Sequence, residues 1–414
     1  MSQNIADLSR REFLRTTGVV GLGSILSPIG SLPYAQGLTN AKESKQIVVP
    51  TRPFGKTGAK ISILALGVAS YSTSSHILLK QGLKFGVNYW DTANSYSGGQ
   101  SERSIGKFFK KYPEDREKVF LVTKSKDSDP KIIDSHLETS LERMNTNYID
   151  LFFIHGLHDV DRQLTQNVKA WAEKAKTEGK IRFFGFSTHK NMEENLLTAA
   201  KLGWIDGIML SYNFRIMHTE MMEKAVDECV KAGIGLTAMK TQASGWLGRT
   251  DRVTPNEKEQ NLFNQLKKRG LTVGQSKLKA VWDDSRIASI CSYMPNMTIL
   301  MDNASAAMDN AELSSQDNFL LNQYAHDTAS NYCAGCASNC ESGINDEVPI
   351  SDVMRYLMYS RCYGEPERAK SAFKRMPSKV RKIMANMDYK EAERKCPQRM
   401  QIGRLMREAA SELV

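Results

Sequence analysis

Residues 86–125 read GVNYWDTANSYSGGQSERSIGKFFKKYPEDREKVFLVTKS, and this stretch decides the fold. It opens with a short apolar and aromatic run, continues with an amphipathic segment, and closes with a second apolar run. Short apolar runs between turn residues are typical of buried parallel strands, and the middle segment has helical periodicity. The stretch therefore predicts one strand–helix–strand unit.

Runs of the same kind recur along the chain, with helix-like segments between them. Eight predicted strands lie at 61–70, 86–93, 119–125, 150–156, 183–189, 207–213, 235–241 and 288–294. Strand followed by helix, eight times over, predicts an α/β protein with a (β/α)8 (TIM) barrel. In such barrels the catalytic residues come from the carboxyl ends of several strands.

Four polar residues fall at or just past the ends of three predicted strands: Asp91, Tyr96, Lys124 and His155. A tyrosine hydroxyl is a poor acid at neutral pH because its reference pKa is about 10. A nearby lysine lowers that pKa, an aspartate orients the lysine, and a neutral histidine hydrogen-bonds a carbonyl oxygen. These four residues, called the tetrad below, predict an enzyme with a general acid. The alternative is that these are ordinary polar residues at the ends of three strands. That alternative explains their joint spacing less well.

The chain resembles the aldo/keto reductase family over roughly residues 48–310. The resemblance lies in DTANSYSGGQSERSIGKFF (91–109), LVTKSK (121–126), DLFFIHG (150–156), GKIRFFGFSTH (179–189) and the pair at 212–213. It implies that Tyr96 donates the proton, that Asp91 and Lys124 tune its pKa, and that His155 orients the carbonyl. It also implies that NAD or NADP supplies hydride to a small-molecule carbonyl or sugar substrate.

Five residues are assigned to the cofactor by the same resemblance or by their position. Ser187 and Thr188 match the pair that binds the nicotinamide carboxamide, and Asp302 and Asn303 match the pair that reads adenine. Lys240, just beyond the seventh strand, has two equally weighted interpretations: a pyrophosphate ligand or a solvated surface charge.

Four positions depart from the family pattern. Met209 replaces a glutamine and Met239 replaces the aromatic residue that stacks on nicotinamide, whereas Tyr293 and Ile299 replace cations that pair with the 2'-phosphate of NADP. Each charge-assisted hydrogen bond to the phosphate contributes on the order of 1.5–3 kcal/mol. The sequence therefore gives no support for an NADP preference.

The amino terminus resembles a twin-arginine export signal, with residues 9–14 reading SRREFL ahead of an apolar, glycine-containing run. The resemblance implies that residues 1–35 direct the chain to the twin-arginine export machinery and the periplasm. An uncleaved signal would instead anchor the chain at the membrane, although the run is short of the about 20 apolar residues of a comfortable span. A basic disordered tail would not explain the apolar run.

The carboxyl-terminal region carries Cys333, Cys336 and Cys340 in a C-x2-C-x3-C pattern, and Cys396 ahead of a proline. Thiolates at this spacing reach one 4Fe–4S cluster, with a remote cysteine completing the set. A c-type haem is excluded because Ala337 follows the second cysteine. Structural zinc, disulfides and a redox-active dithiol remain as alternatives. The other three cysteines, at 229, 291 and 362, are predicted to be small buried hydrophobic residues.

The sequence has 414 residues and a formal net charge of +10. This length accommodates one barrel of about 250 residues and a smaller extension. Residues 325–414 resemble the mainly helical, ferredoxin-like iron–sulfur segment found in a subset of the family. Basic residues are interleaved with acidic ones, which is typical of solvated helix faces and not of a nucleic-acid surface.

Together these features predict an exported oxidoreductase of the aldo/keto reductase type, whose cluster exchanges single electrons with a redox partner protein. Two alternatives remain open. One is a cofactor-independent acid–base enzyme acting on a sugar or carbonyl compound, and the other is a non-catalytic electron-transfer or assembly subunit on the same fold.

Overall fold

The computed structural model describes residues 47–72, 75–243, 257–268 and 270–414, so the predicted signal segment lies outside the described residues. The described strands are β1 Thr51–Pro53, β2 Lys60–Ser62, β3 Leu64–Gly67, β4 Tyr89–Asp91, β5 Phe120–Ser125, β6 Ile149–Leu157, β7 Ile181–Thr188, β8 Gly207–Ser211, β9 Gly235–Met239 and β10 Ser289–Tyr293.

The described α-helices surround the barrel or follow it. They are α1 His76–Lys84, α2 Gln100–Lys111, α3 Pro130–Met144, α4 Val160–Gln163, α5 Gln166–Thr177, α6 Met192–Ala200, α7 Glu220–Lys231, α8 Glu257–Lys268, α9 Val273–Trp282, α10 Met297–Met308, α11 Ser315–Asp327, α12 Ala337–Glu341, α13 Ile350–Arg361, α14 Pro366–Lys374, α15 Ser378–Ile383, α16 Lys390–Lys395 and α17 Ile402–Glu412. None of these helices is long and apolar enough to cross a bilayer.

Strands β3 to β10 close into a parallel barrel in which each strand pairs with the next along the chain and β10 pairs with β3. The predicted (β/α)8 barrel is confirmed. The first predicted strand, 61–70, is divided in the structure, because its opening residues belong to β2, which pairs antiparallel with β1, and only Leu64–Gly67 enters the barrel.

The β1–β2 hairpin closes the amino-terminal end of the barrel with the buried ring of Phe54. The ring lies against the first residues of β8 and β9, which are Gly207 and Gly235. A Cβ atom at these two positions would lie 2.7 and 2.5 Å from ring atoms of Phe54. Glycine is therefore required at both strand starts, and the opposite, carboxyl-terminal end is left to form the site.

The amphipathic helix of the opening stretch, α2, packs where its sequence predicts. Its buried residues Ile105, Phe108 and Phe109 face the barrel. The ring of Phe109 stacks on Trp90 of β4 at 5.7 Å, and Phe108 meets the same indole edge-on at 5.2 Å. Burial of large aromatic side chains dominates core energetics, so this packing fixes β4, which carries Asp91, against its helix.

The predicted helical carboxyl-terminal extension is present, and it has an apolar core of its own. Buried side chains from α13, α14 and α17, including Val353, Leu357, Phe373 and Leu405, form this second cluster. Helix α11 instead belongs to the barrel, because its Leu321 is buried in the main core. The extension is thus a packed helical unit placed after the barrel is complete.

Candidate active site

The structure brings the tetrad together at the carboxyl ends of β4, β5 and β6. Lys124 Nζ donates to Asp91 Oδ1 at 2.6 Å and to the Thr92 carbonyl at 2.7 Å. Burial lowers the pKa of Lys124, but the attraction of the adjacent Asp91 carboxylate outweighs this effect and the pKa is raised. Lys124 is therefore a buried, charged ammonium whose counterion belongs to the neighbouring strand.

Tyr96 lies beside this ion pair, with the Lys124 ammonium 5.3 Å from the centre of its ring. Burial raises the pKa of Tyr96 to about 12, and the charge of Lys124 acts in the opposite direction. The sequence prediction thus gave the direction of the lysine effect but not the larger effect of burial. The hydroxyl keeps its proton at neutral pH and can act as a proton donor.

His155 meets Tyr96 edge-on, with ring centroids 5.5 Å apart and planes at 86°. Burial lowers the pKa of His155 well below its usual value, and the charges of Lys124 and other nearby cations lower it further. Its Nδ1 is buried and has no hydrogen-bond partner within the described residues. A buried polar atom without a partner is rare in proteins, so a neutral His155 is available to a substrate group.

The four predicted cysteine ligands converge as well, although they come from distant parts of the extension. Cys333, Cys336, Cys340 and Cys396 line one cavity, together with apolar residues such as Met354. Burial raises the pKa of the first of these thiols to about 11 and of the second to about 12. Within the described residues these four cysteines form no disulfide, so the disulfide alternative finds no support.

Residues 67–301, the barrel that carries the tetrad, match the model of the aldo/keto reductase family. The chain belongs to the aldo/keto reductase family. It is accordingly an oxidoreductase by family, and the predicted fold, enzyme class and family are all confirmed.

Relatives and solved structures agree with this assignment. The chain is 29% identical to an aldo-keto reductase of Fusarium vanettenii and 31% identical to one of Metarhizium robertsii, and the matches cover 49% and 42% of this chain. The chain spans only 66% and 55% of the lengths of these relatives. An aldo-keto reductase structure from Bacillus halodurans shares the fold at 21% identity with a TM-score of 0.55, covering 70% of this chain and 98% of that one.

The family generally uses NAD(P)H, and the residues matched to the nicotinamide ring are Ser187 and Thr188. Ser187 and Thr188 end β7 and are 1% and 0% exposed. The Gly156 amide donates to Ser187 Oγ at 3.0 Å, and Thr188 Oγ1 donates to the Lys190 carbonyl at 3.1 Å. Both hydroxyls keep further hydrogen-bonding capacity, but they are closed off from solvent, so a nicotinamide carboxamide could reach them only if the structure around them opened.

The other predicted cofactor residues lie outside β7, the strand that carries Ser187 and Thr188. Asp302 and Asn303 lie on α10, and Asn303 Nδ2 donates to Ser292 Oγ at 3.1 Å. Lys240 lies just past β9 and is half-buried, and its Nζ is 3.1 Å from His189 Nδ1. Burial lowers the pKa of Lys240 well below its usual value, and the charge of Arg355 adds to the effect.

The four-cysteine cavity is lined by four thiols, and a cluster and a single zinc ion both remain predictions for it. No three His, Cys, Asp or Glu side chains among the described residues are placed to hold a metal ion. A structural zinc needs four ligands at about 2–2.3 Å from one point. A 4Fe–4S cluster instead accepts each thiolate at a separate iron, and Ser351 Oγ at the cavity wall is buried without a hydrogen-bond partner within the described chain.

Three residues near the site were missed from the sequence. His189 directly follows Thr188 at the end of β7, so the strand-end rule could have found it. Tyr332 and Arg355 belong to the extension and reach the barrel mouth. Neither carries a sequence signal, because nothing in the spacing of a helical extension predicts which side chains contact the barrel.

Proposed function

We propose that the protein is an exported oxidoreductase that acts on the carbonyl or alcohol group of a small molecule or sugar. The tetrad is its proton-transfer machinery, and the four cysteines hold a 4Fe–4S cluster that exchanges electrons with a partner protein. The observation that carries the proposal is the buried ion pair between Lys124 and Asp91 beside Tyr96 and the unpartnered Nδ1 of His155.

In the direction of reduction, Tyr96 would donate the proton that ends on the substrate oxygen, the partner protein would supply two electrons by way of the cluster, and solvent would supply the proton that ends on carbon. The pKa of about 12 keeps the hydroxyl protonated beforehand, and the nearby Lys124 ammonium stabilises the phenolate that is left. Neutral His155 donates a hydrogen bond to the same oxygen and fixes its position. In the direction of oxidation the phenolate would take the proton back.

The site is electropositive, which favours negative charge that develops on a carbonyl oxygen. Lys126 and Arg368 act on His155 through their charges, in addition to Lys124. Fixed charges in a site from which water is excluded stabilise a developing oxyanion without having to reorganise. One of these cations, Arg368, belongs to α14, so the extension contributes to the electrostatics of the barrel site.

The four-cysteine cavity would hold the cluster through Cys333, Cys336, Cys340 and Cys396. When bound, a cluster of this kind supplies or accepts single electrons. The apolar side chains of the wall exclude water, and Ser351 Oγ is placed to donate a hydrogen bond to a sulfur atom. Hydrogen bonds and burial of this sort set the reduction potential of such clusters.

No step is assigned to a nicotinamide, because its matched contacts are buried within the protein. The alternative of a non-catalytic subunit is less well supported. A buried charge is expensive unless it is paired, and an ion pair that serves no chemistry could be replaced by apolar side chains at no loss of stability. The retained Lys124–Asp91 pair is therefore better explained by catalysis.

The first test is an anaerobic purification analysed for metals. We expect a brown protein with roughly four iron atoms per chain, and a Cys336→Ser variant that loses them. Colourless protein that contains zinc would contradict the proposed 4Fe–4S cluster.

The second test concerns the acid. Turnover of a panel of small aldehydes, ketones and keto sugars is measured with reduced viologen as the electron donor, and separately with NADPH. Tyr96→Phe is expected to lose about 10²–10⁴-fold in rate and to keep its iron. Tyr293→Phe, which changes an exposed tyrosine of β10, is the matched control and should retain activity. Equal rates for both variants would remove Tyr96 from the mechanism.

Export is tested with the arginine pair of the amino terminus. Replacing Arg10 and Arg11 together with lysine should leave the protein in the cytoplasmic fraction, whereas the nearby Arg15→Lys substitution should not. Unchanged periplasmic accumulation of the double variant would contradict the twin-arginine route.

A further inference from the structure

The extension is docked just past the end of β7 by contacts of its backbone. The Asn191 amide donates to the Gly335 carbonyl at 2.8 Å, and the Ser338 amide donates to Asn191 Oδ1 at 2.9 Å. Gly335 has a φ of +84°, and a Cβ atom there would lie 2.4 Å from the His189 carbonyl oxygen. The loop that contains the first two cysteines therefore approaches the barrel as closely as a backbone can.

Charged side chains reinforce this docking. Lys190 Nζ lies 2.9 Å from Glu341 Oε2, and Arg355 Nη2 donates to the His189 carbonyl at 2.9 Å. The lysine and glutamate side chains are only 18% and 10% exposed, so the pair is largely shielded from solvent. These contacts join the end of β7 to α12 and α13.

Tyr332 is the extension residue that reaches furthest into the barrel. It is 4% exposed and packs in the main barrel core. Asn213 Nδ2 donates to its hydroxyl at 2.9 Å. Asn213, just past β8, is itself fully buried. The phenol thus lies at the end of β8, the strand that pairs with β7 and its residues Ser187 and Thr188.

Little space is left between the barrel and the docked extension. The cavity there has about 20 Å³, room for about one water molecule. Its wall includes His189, Ser211, Lys240, Tyr332, Cys333 and Arg355. A nicotinamide ring is far larger than one water, so this cavity cannot hold it while the extension is docked. Cys333 also lines the four-cysteine cavity, which makes that cavity the immediate neighbour of this one.

We propose that residues 332–335 of the extension fill the place that the nicotinamide ring takes in other family members, so that this protein binds no nicotinamide nucleotide against its tetrad. The inference goes beyond the proposed function and rests on it only in taking the tetrad as the active site. The redox group that the docked extension does place at the barrel mouth is the four-cysteine site.

The test is a titration of the cluster-loaded, full-length protein with NADPH and with NADH, followed through the dihydronicotinamide fluorescence. Hydrogen–deuterium exchange of residues 187–191 and 332–338 is measured with and without nucleotide. The expected result is unchanged fluorescence and slow exchange that nucleotide does not alter. A fluorescence change on binding, whether or not exchange in these segments changes with it, would overturn the proposal.

A matched pair of glycine substitutions tests whether docking is the cause. Gly335→Ala forces a Cβ atom against the His189 carbonyl, whereas Gly364→Ala, also at positive φ in the extension, meets nothing within 4 Å. Faster exchange at 187–191 and nucleotide binding about tenfold or more tighter in Gly335→Ala than in Gly364→Ala would support the proposal. Faster exchange without any gain in binding would contradict it.

If Gly335→Ala does not fold, Lys190→Gln replaces it. This change removes the ion pair with Glu341, and Lys180→Gln, which removes pairs with Glu138 and Glu178 at the opposite end of β7, is its control. As with the glycine pair, faster exchange with tighter nucleotide binding would support the proposal, and faster exchange without a gain in binding would contradict it. Turnover is not measured in this test. A catalytically inactive tetrad would therefore not be confused with a nicotinamide site that is open to nucleotide.

Discussion

The tetrad and the four-cysteine cavity each gather four side chains, but they are assembled in different ways. Asp91, Lys124 and His155 lie on consecutive strands that pair in parallel register, so the barrel itself brings them to one end. The cysteines come from a loop, from α12 and from the residue after α16, and only the packing of the extension brings them together. A regular fold therefore determines the first cluster, whereas side-chain packing determines the second.

The two clusters also differ in charge balance. Within the tetrad, Lys124 finds its counterion in Asp91, so the charges are compensated by the chain itself. Burial raises the pKa of the cysteine thiols, and thiolates are the form that binds metal. The tetrad is complete as it stands, but the cysteines need a cationic centre before they can carry charge. The two clusters should therefore fail independently when each is changed.

The largest effect is expected for Lys124→Met. This change leaves the Asp91 carboxylate buried without a partner, and such a loss costs about 3–5 kcal/mol. The midpoint of urea unfolding should fall accordingly, and iron bound by the extension should be retained by the folded protein. Lys118→Met removes a pair with Asp115 whose lysine is 60% exposed, and should lower the midpoint far less, because solvent screens an exposed pair. Equal costs for the two variants would mean that the Lys124 pair is solvated.

The second prediction changes the other cluster. Cys396→Ser removes the remote member of the cysteine set, and the loss of iron affinity should exceed the about 10–100-fold that follows loss of an outer partner of a metal ligand. Cys362→Ser, at the end of α13 and outside the cavity wall, is the control. Iron and sulfide are measured in both variants after anaerobic purification. Full iron content in Cys396→Ser would remove that residue from the ligand set.

The same contrast explains what the sequence could predict. All eight barrel strands and the convergence of the tetrad were predictable, because strand periodicity and topology determine which residues meet at a barrel end. The boundary between β2 and β3 was not, since residues 61–67 form a single apolar run that carries no sign of the break. The net pKa of Tyr96 was also beyond the sequence, because burial, which depends on tertiary packing, outweighs the effect of Lys124.

The contacts between the extension and the barrel could not be predicted from the sequence either. Cysteine spacing predicted that Cys333, Cys336 and Cys340 act together, and they do line one cavity. Nothing in the sequence showed that Tyr332, one residue earlier, would be buried against Asn213 of the barrel. Local spacing is read from a sequence directly, whereas docking of one unit on another depends on shapes that no short motif records.

The smallest effect per residue and per pH unit is expected from pH, and it joins the two regions because His155 belongs to the tetrad and His189 contacts Arg355 of the extension. Burial lowers the pKa of both residues well below 6.5 in the folded protein. The unfolded chain therefore binds more protons than the native state once the pH falls below about 6.5. Stability should be full above that pH and should decline on acidification, by about 1.4 kcal/mol per pH unit for each histidine.

The check is a series of urea unfolding curves between about pH 7.5 and about pH 5, for the protein and for variants. His189→Gln should flatten the acid decline by about half, because one of the two neutral imidazoles is gone. His326→Gln changes a histidine whose side chain is 90% exposed, and should leave the slope unaltered. A slope that is the same in all three proteins would mean that the histidines become protonated without unfolding. The barrel mouth would then be open to water, and the docking of the extension over β7 would be looser than the contacts of Gly335 and Arg355 indicate.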